Sequence, residues 1–153
     1  MSAVNLLKIA RDYLGNGALW QPGGIVANDR REAVPMGDPT AVYASIGGAI
    51  MMAGQLSSLP PTDRLEAVAA CARVAHCACV ALHGCSLSVW EDRAGRTWGD
   101  VSAFIETVLS FEPDTIRDLL WSVGEQEDTE TLSKSPPSWV RQWARTGTLA
   151  QAA

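Results

Sequence analysis

Residues Val89–Leu109 read VWEDRAGRTWGDVSAFIETVL, joining a short apolar run to a charged turn and then to the most regular amphipathic segment of the chain. Just upstream, Ser86–Trp90 alternates, with Leu87 and Val89 apolar and Trp90 closing the run, which predicts a short strand or an extended entry. Glu91-Asp92-Arg93-Ala94-Gly95-Arg96 follows; Gly95 takes positive φ without steric cost, so the chain can reverse there. Thr97 suits an N-cap, because its hydroxyl can accept a bond from a free amide of the first turn. Asp100, three residues on, completes a T-x-x-D relative of the capping box, and its charge complements the positive end of the helix dipole. Val101, Phe104, Ile105, Val108 and Leu109 fall at i, i+3, i+4, i+7 and i+8, so one helix face is apolar and must pack on something. After Glu112-Pro113, Asp114 restarts a helix whose apolar face is Ile116, Leu119, Leu120 and Val123.

Trp90, Glu91, Asp92, Gly95, Arg96 and Thr97, followed by a helix bearing Val101, resemble the closing W-[N or E]-D-x-x-G-R-T motif of an uncharacterised domain-of-unknown-function family found in actinobacteria and their phages. Ala10–Leu14 through Trp20-Gln21 resembles that family's opening helix and Trp-Gln segment, and Ile46-Gly47-Gly48-Ala49-Ile50 its central Gly-Ala helix. Two departures stand out: Glu91 occupies the expected Asn position, and the Cys expected before the Gly-Ala pair is missing. The resemblance spans residues 3–110 and implies a compact domain with no known activity.

A chain of 153 residues can bury a substantial core as one domain, and its 47 % apolar content is ordinary for a globular protein. Net charge is −5, and Lys8 and Lys134 are the two lysines. No clustered basic face is present to release counterions, which argues against nucleic-acid binding. The start of the chain, Ser2-Ala3-Val4-Asn5, lacks the charged flank of a secretory signal. Thr40–Thr62 carries no charge, yet Tyr43, Ser45, Gln55 and several glycines make it only mildly apolar, and Pro60-Pro61 ends it; a membrane span is not expected. Cys71, Cys77, Cys79 and Cys85 lie in one helix and its exit, which favours free thiols and a cytoplasmic setting over a disulfide framework.

Ala3–Leu14 reads as a helix that Gly15-Asn16-Gly17 can cap. Residues 18–37 read as a long loop, with Gly24–Ala27 able to form a short strand; loops of this length are often functional. Asp38-Pro39 predicts a helix start, with the helix running to Leu56, and its Gly47, Gly48, Ala49, Ala53 and Gly54 invite close approach by a neighbouring helix. Asp63-x-x-Glu66 predicts the start of the next helix, apolar on most sides, ending at His83 before Gly84. Residues 124–137, GEQEDTETLSKSPP, read as an acidic solvated linker, and Ser138 can cap a short helix over Trp139–Arg145 within a tail of residues 138–153.

Several groups of residues could carry chemistry. His76, Cys79 and His83 share a helical face with Cys85 just beyond, a set able to hold a tetrahedral zinc, although buried cysteine is common as a small hydrophobe. Glu91 and Asp92 are paired carboxylates, and Arg93 and Arg96 could hold an anion; the plain alternative is a turn whose charges are solvated or pair locally. Asp29-Arg30-Arg31-Glu32 admits the same two readings, which makes Arg30, Arg31, Asp92, Arg93 and Arg96 the ligand-binding candidates. Trp139 and Trp143 at i, i+4, flanked by Arg141 and Arg145, resemble a helix-in-groove anchor, or else fold back onto the domain. No phosphate-binding loop, H-E-x-x-H or G-x-S-x-G is present.

The sequence thus predicts a mainly α, compact helical domain over residues 1–123 with room for one short β pair, an acidic linker over 124–137 and a C-terminal Trp helix. The leading functional expectation is a non-enzymatic protein that binds a protein partner or a second copy of itself, without a cofactor, nucleic acid or membrane. A regulatory protein, or an inhibitor of a host complex, is the version implied by the phage side of the resemblance. A metal-binding domain built on the His/Cys face and a small enzyme or ligand binder built on the charged turns are the alternatives.

Overall fold

A computed structural model describes residues 3–126 and is mainly α, with six helices and one small antiparallel sheet among the described residues. The rest of the acidic segment and the tail, including Trp139, Arg141, Trp143 and Arg145, lie outside the described residues. The first helix, α1 (Ala3–Leu14), buries Leu6, Leu7, Ala10 and Leu14, the stripe its periodicity demands. Gly15 and Gly17 then take positive φ and turn the chain away.

The expected long loop is instead organised by the sheet. Strands β1 (Val26–Ala27), β2 (Ala33–Val34) and β3 (Tyr43–Ala44) run in the order β2-β1-β3, with Val26 opposite both Val34 and Ala44. In the β1–β2 hairpin, Asn28 Oδ1 accepts from the amides of Arg30 and Glu32. Arg31 closes the turn at φ 63°, an unusual value for a residue with a side chain. The Arg31 guanidinium lies 4.2 Å from the Tyr43 ring centre, and Gln21 Nε2 donates to the Arg31 carbonyl.

Asp38-Pro39 does not start the second helix. Asp38 Oδ1 accepts from the Thr40 amide at 2.8 Å, closing a local turn. The chain then stays extended through β3, because Tyr43 and Ala44 pair with β1. Helix α2 (Ile46–Leu56) begins after Ser45, whose Oγ accepts from the Gly48 amide. Gly48 does allow a close approach, but by β-layer backbone rather than a helix: a Cβ there would overlap the Ile25 carbonyl.

Helix α3 (Pro61–His83) starts at Pro61, ahead of the predicted Asp63, because proline suits the first helical position. Gly84 caps its end at φ 74°. By length and composition α3 could cross a membrane; it is instead packed on α1 and α2 and buries Val68, Cys71, Ala75 and Ala78, as a core helix does. Ser86–Trp90 is not a strand. It forms α4 (Leu87–Glu91), capped by Ser86, with Leu87 and Trp90 buried one turn apart and Val89 exposed. The apparent alternation was a helical i, i+3 pair with an exposed valine between.

Helix α5 (Trp98–Leu109) carries the full reciprocal capping box of Thr97 and Asp100 and buries Val101, Phe104, Ile105 and Val108, as its sequence predicts. Helix α6 (Pro113–Gln126) runs past Val123 and packs on α3. All four cysteines are free thiols.

Candidate functional site

The charged turn after α4 is where distant parts of the chain are tied together. Glu91 is 3 % exposed. Its Oε2 accepts from the Trp20 indole at 2.7 Å and from the Ile46 amide at 2.8 Å. The Ile46 amide is one of the donors that a helix start leaves without an intrahelical partner, so Glu91 helps cap α2 from across the fold. Burial pushes the Glu91 carboxyl up to about 7; the two N–H donors oppose this, and the neighbouring charge of Asp92 adds to it. Asp92 Oδ1 in turn accepts from the Gly23 amide at 2.8 Å. The two carboxylates, read in sequence as an acid–base pair or as locally solvated charges, each hold a separate piece of the 18–25 segment or α2.

The arginines of the same turn face another way. Arg96 Nε donates to the Trp90 carbonyl at 2.9 Å, and its guanidinium carbon sits 4.2 Å from the Trp90 ring centre. Its Nη1 lies 3.6 Å from Asp100 Oδ2. The His83 ring stacks on Trp90 at 4.8 Å and 15°, and Phe104 meets Trp90 at 5.1 Å. These groups border a cleft of about 510 Å³ between the end of α3, the turn and α5, with Arg93 and Leu82 also on its walls. This volume lies in the range of small-ligand pockets.

The structure therefore brings Arg93 and Arg96 together at one cleft and directs Asp92 to Gly23. Arg30 and Arg31 lie on the exposed hairpin turn, away from this cleft's lining. The His76, Cys79, His83 and Cys85 set does not assemble: among the described residues, no three His, Cys, Asp or Glu side chains are placed to share a metal ion. His83 is instead an exposed residue stacked on Trp90. Cys79 is fully buried, and burial, followed by the adjacent Cys85 thiol, pushes its own thiol up to about 12.

The buried role of Glu91 escaped the sequence reading. A signal did exist: Trp20 and Glu91 sit in two separate segments of the same family resemblance, and in the fold they are hydrogen-bonded. The reading also missed His83 as a cleft residue, because its place on an apolar helix suggested a core or metal role.

A family of unknown function (DUF6197) matches residues 1–110, more than half of the chain. The chain belongs to that family. The DUF6197 match ends at the close of α5, so it contains the Glu91 clasp and the cleft but not α6. No curated protein and no solved structure matches the chain.

Proposed function

We propose that this protein works by binding a protein partner, as a regulatory module in the cytoplasm. The observation that carries this reading is the division of labour at the 91–96 turn. Glu91 and Asp92 each bond to distant groups of their own chain, whereas Arg93 and Arg96, the latter held by the Trp90 carbonyl, border an open cleft beside the exposed Leu82. Val89, on the neighbouring short helix, is also exposed, at 55 %. An exposed apolar residue beside an arginine at a concave site is the composition of a recognition surface. The free thiols support the cytoplasmic setting. Inhibition of a host complex is the version suggested by the phage side of the resemblance. The paired tryptophans Trp139 and Trp143 supply a second candidate contact.

The test uses the full chain, tagged and expressed in its native host. Partners retained by the wild type are compared with those retained by Leu82→Asp and by Trp139→Ala with Trp143→Ala, and any difference is then measured with purified partner. The expected result is a defined partner whose affinity drops about tenfold or more in at least one variant that keeps its helical signature. Light scattering of the same variants separates a foreign partner from a second copy. Unchanged affinity and unchanged mass in both variants would remove the binding reading.

A further inference from the structure

The geometry points to the cleft of Arg93 and Arg96 as a receptor for a carboxylate carried on a small apolar body. This rests on the binding reading and names what would be bound. Arg96 is already held in place by the Trp90 carbonyl, the Trp90 ring and Asp100, and its side chain is only 17 % exposed. A guanidinium immobilised in this way loses little further freedom when it meets an anion. Arg93, also on the cleft wall, has no ion pair among the described residues and is exposed. The pair can therefore present a fixed fork and an adaptable one to the same oxygens, the arrangement in which arginine recognises carboxylates.

The charge balance selects among anions. Two guanidinium groups and one carboxylate, Asp100, line the cleft, so these three groups leave a single excess positive charge. A monoanion neutralises that charge. A phosphate dianion would leave a negative excess beside Asp100, which like-charge repulsion disfavours. Much of the rest of the lining is apolar or aromatic: Leu82 is 46 % exposed, Ala103 is exposed, and Trp90 and Phe104 also border the cleft. Thr107 Oγ1 already donates to the Ala103 carbonyl, so it offers the ligand little as a donor. A branched or aromatic body beside the carboxylate fits this wall. Two sources share the chemistry: the C-terminal residue of a partner chain, and a free organic acid.

The experiment titrates the isotope-labelled full chain with four probes while following the Arg93 and His83 side-chain signals. N-acetyl-leucine mimics a chain terminus, 4-methylpentanoate is the free acid with the same body, N-acetyl-leucinamide lacks the charge, and inorganic phosphate lacks the body. Saturable shifts with at least one of the two acids are expected, with the amide and phosphate about tenfold weaker. Arg93→Gln should weaken the acids by about tenfold while leaving the Trp90 indole signal of the free protein in place. Tighter binding of N-acetyl-leucine than of 4-methylpentanoate identifies a chain terminus as the source, and the reverse order identifies a free acid. No saturable shift with either acid, equal binding of the amide, or indifference to Arg93→Gln overturns the proposal. If a protein partner is lost in Leu82→Asp while neither acid moves these signals, the binding reading stands and the carboxylate assignment falls.

Discussion

Two short stretches of this chain look alike on paper: Asp29-Arg30-Arg31-Glu32 and Glu91-Asp92-Arg93-Ala94-Gly95-Arg96 each crowd both signs of charge into one turn. In the fold they have little in common. The first is a hairpin tip whose four residues are all exposed, shaped by Asn28 and by the left-handed Arg31. The second begins with a carboxylate residue only 3 % exposed and joins α4 to Trp20, Gly23 and α2. The difference lies in what surrounds each turn. A hairpin tip projects from the sheet, whereas the turn after α4 meets the 18–25 segment and the start of α2, which present the half-buried Trp20 indole and the buried Ile46 amide to Glu91. Buried donors need acceptors, and Glu91 supplies one.

That contrast can be broken most directly at Glu91. Glu91→Ala leaves the Trp20 indole and the Ile46 amide without their acceptor and should destabilise the fold by about 2–5 kcal/mol in denaturant unfolding. Glu91→Gln, which keeps an acceptor oxygen, should lose less than half as much. A loss in the alanine variant below about 0.5 kcal/mol would mean that Glu91 is no more structural than Glu32.

The next effect is a pH dependence. The folded chain holds the Glu91 proton up to about 7, against an ordinary value of 4.5, so between these values the folded state binds more protons than the unfolded one. Stability from this group is therefore full below about 4.5 and lost as pH rises to about 7, by roughly 3 kcal/mol in all. Unfolding curves across this window should show the trend in the wild type and a flatter profile in Glu91→Gln. Identical profiles in the two proteins would assign the pH dependence to other groups.

A smaller loss, about 1 kcal/mol, is expected for Asp92→Ala, since its bond to the Gly23 amide is near the surface. Faster hydrogen exchange at the Gly23 amide is the matching local observation; unchanged exchange there would place Asp92 with the solvated charges. Smallest of all, Arg30→Ala and Glu32→Ala on the hairpin tip should stay within about 0.5 kcal/mol of wild type. A larger change at either would erase the distinction between the two turns.

What could be read from the residues alone was local. Thr97 with Asp100 announced the start of α5, the spacing of Val101, Phe104, Ile105 and Val108 announced its buried face, and Gly84 announced the end of α3. Each depends on groups within about one helical turn, where backbone geometry leaves few options. The same local signs failed at Asp38-Pro39 and at Ser86–Trp90. In the first case pairing of Tyr43 and Ala44 with β1 overrode a good helix start, and in the second an exposed Val89 imitated alternation. The Glu91 clasp, the approach of Ile25 to Gly48 and the gathering of His83, Arg93 and Arg96 at one cleft were decided only by tertiary structure. Whether a carboxylate is solvated or buried depends on which N–H donors the fold carries to it, and those donors, the Ile46 amide and the Trp20 indole, lie 45 and 71 residues away along the chain.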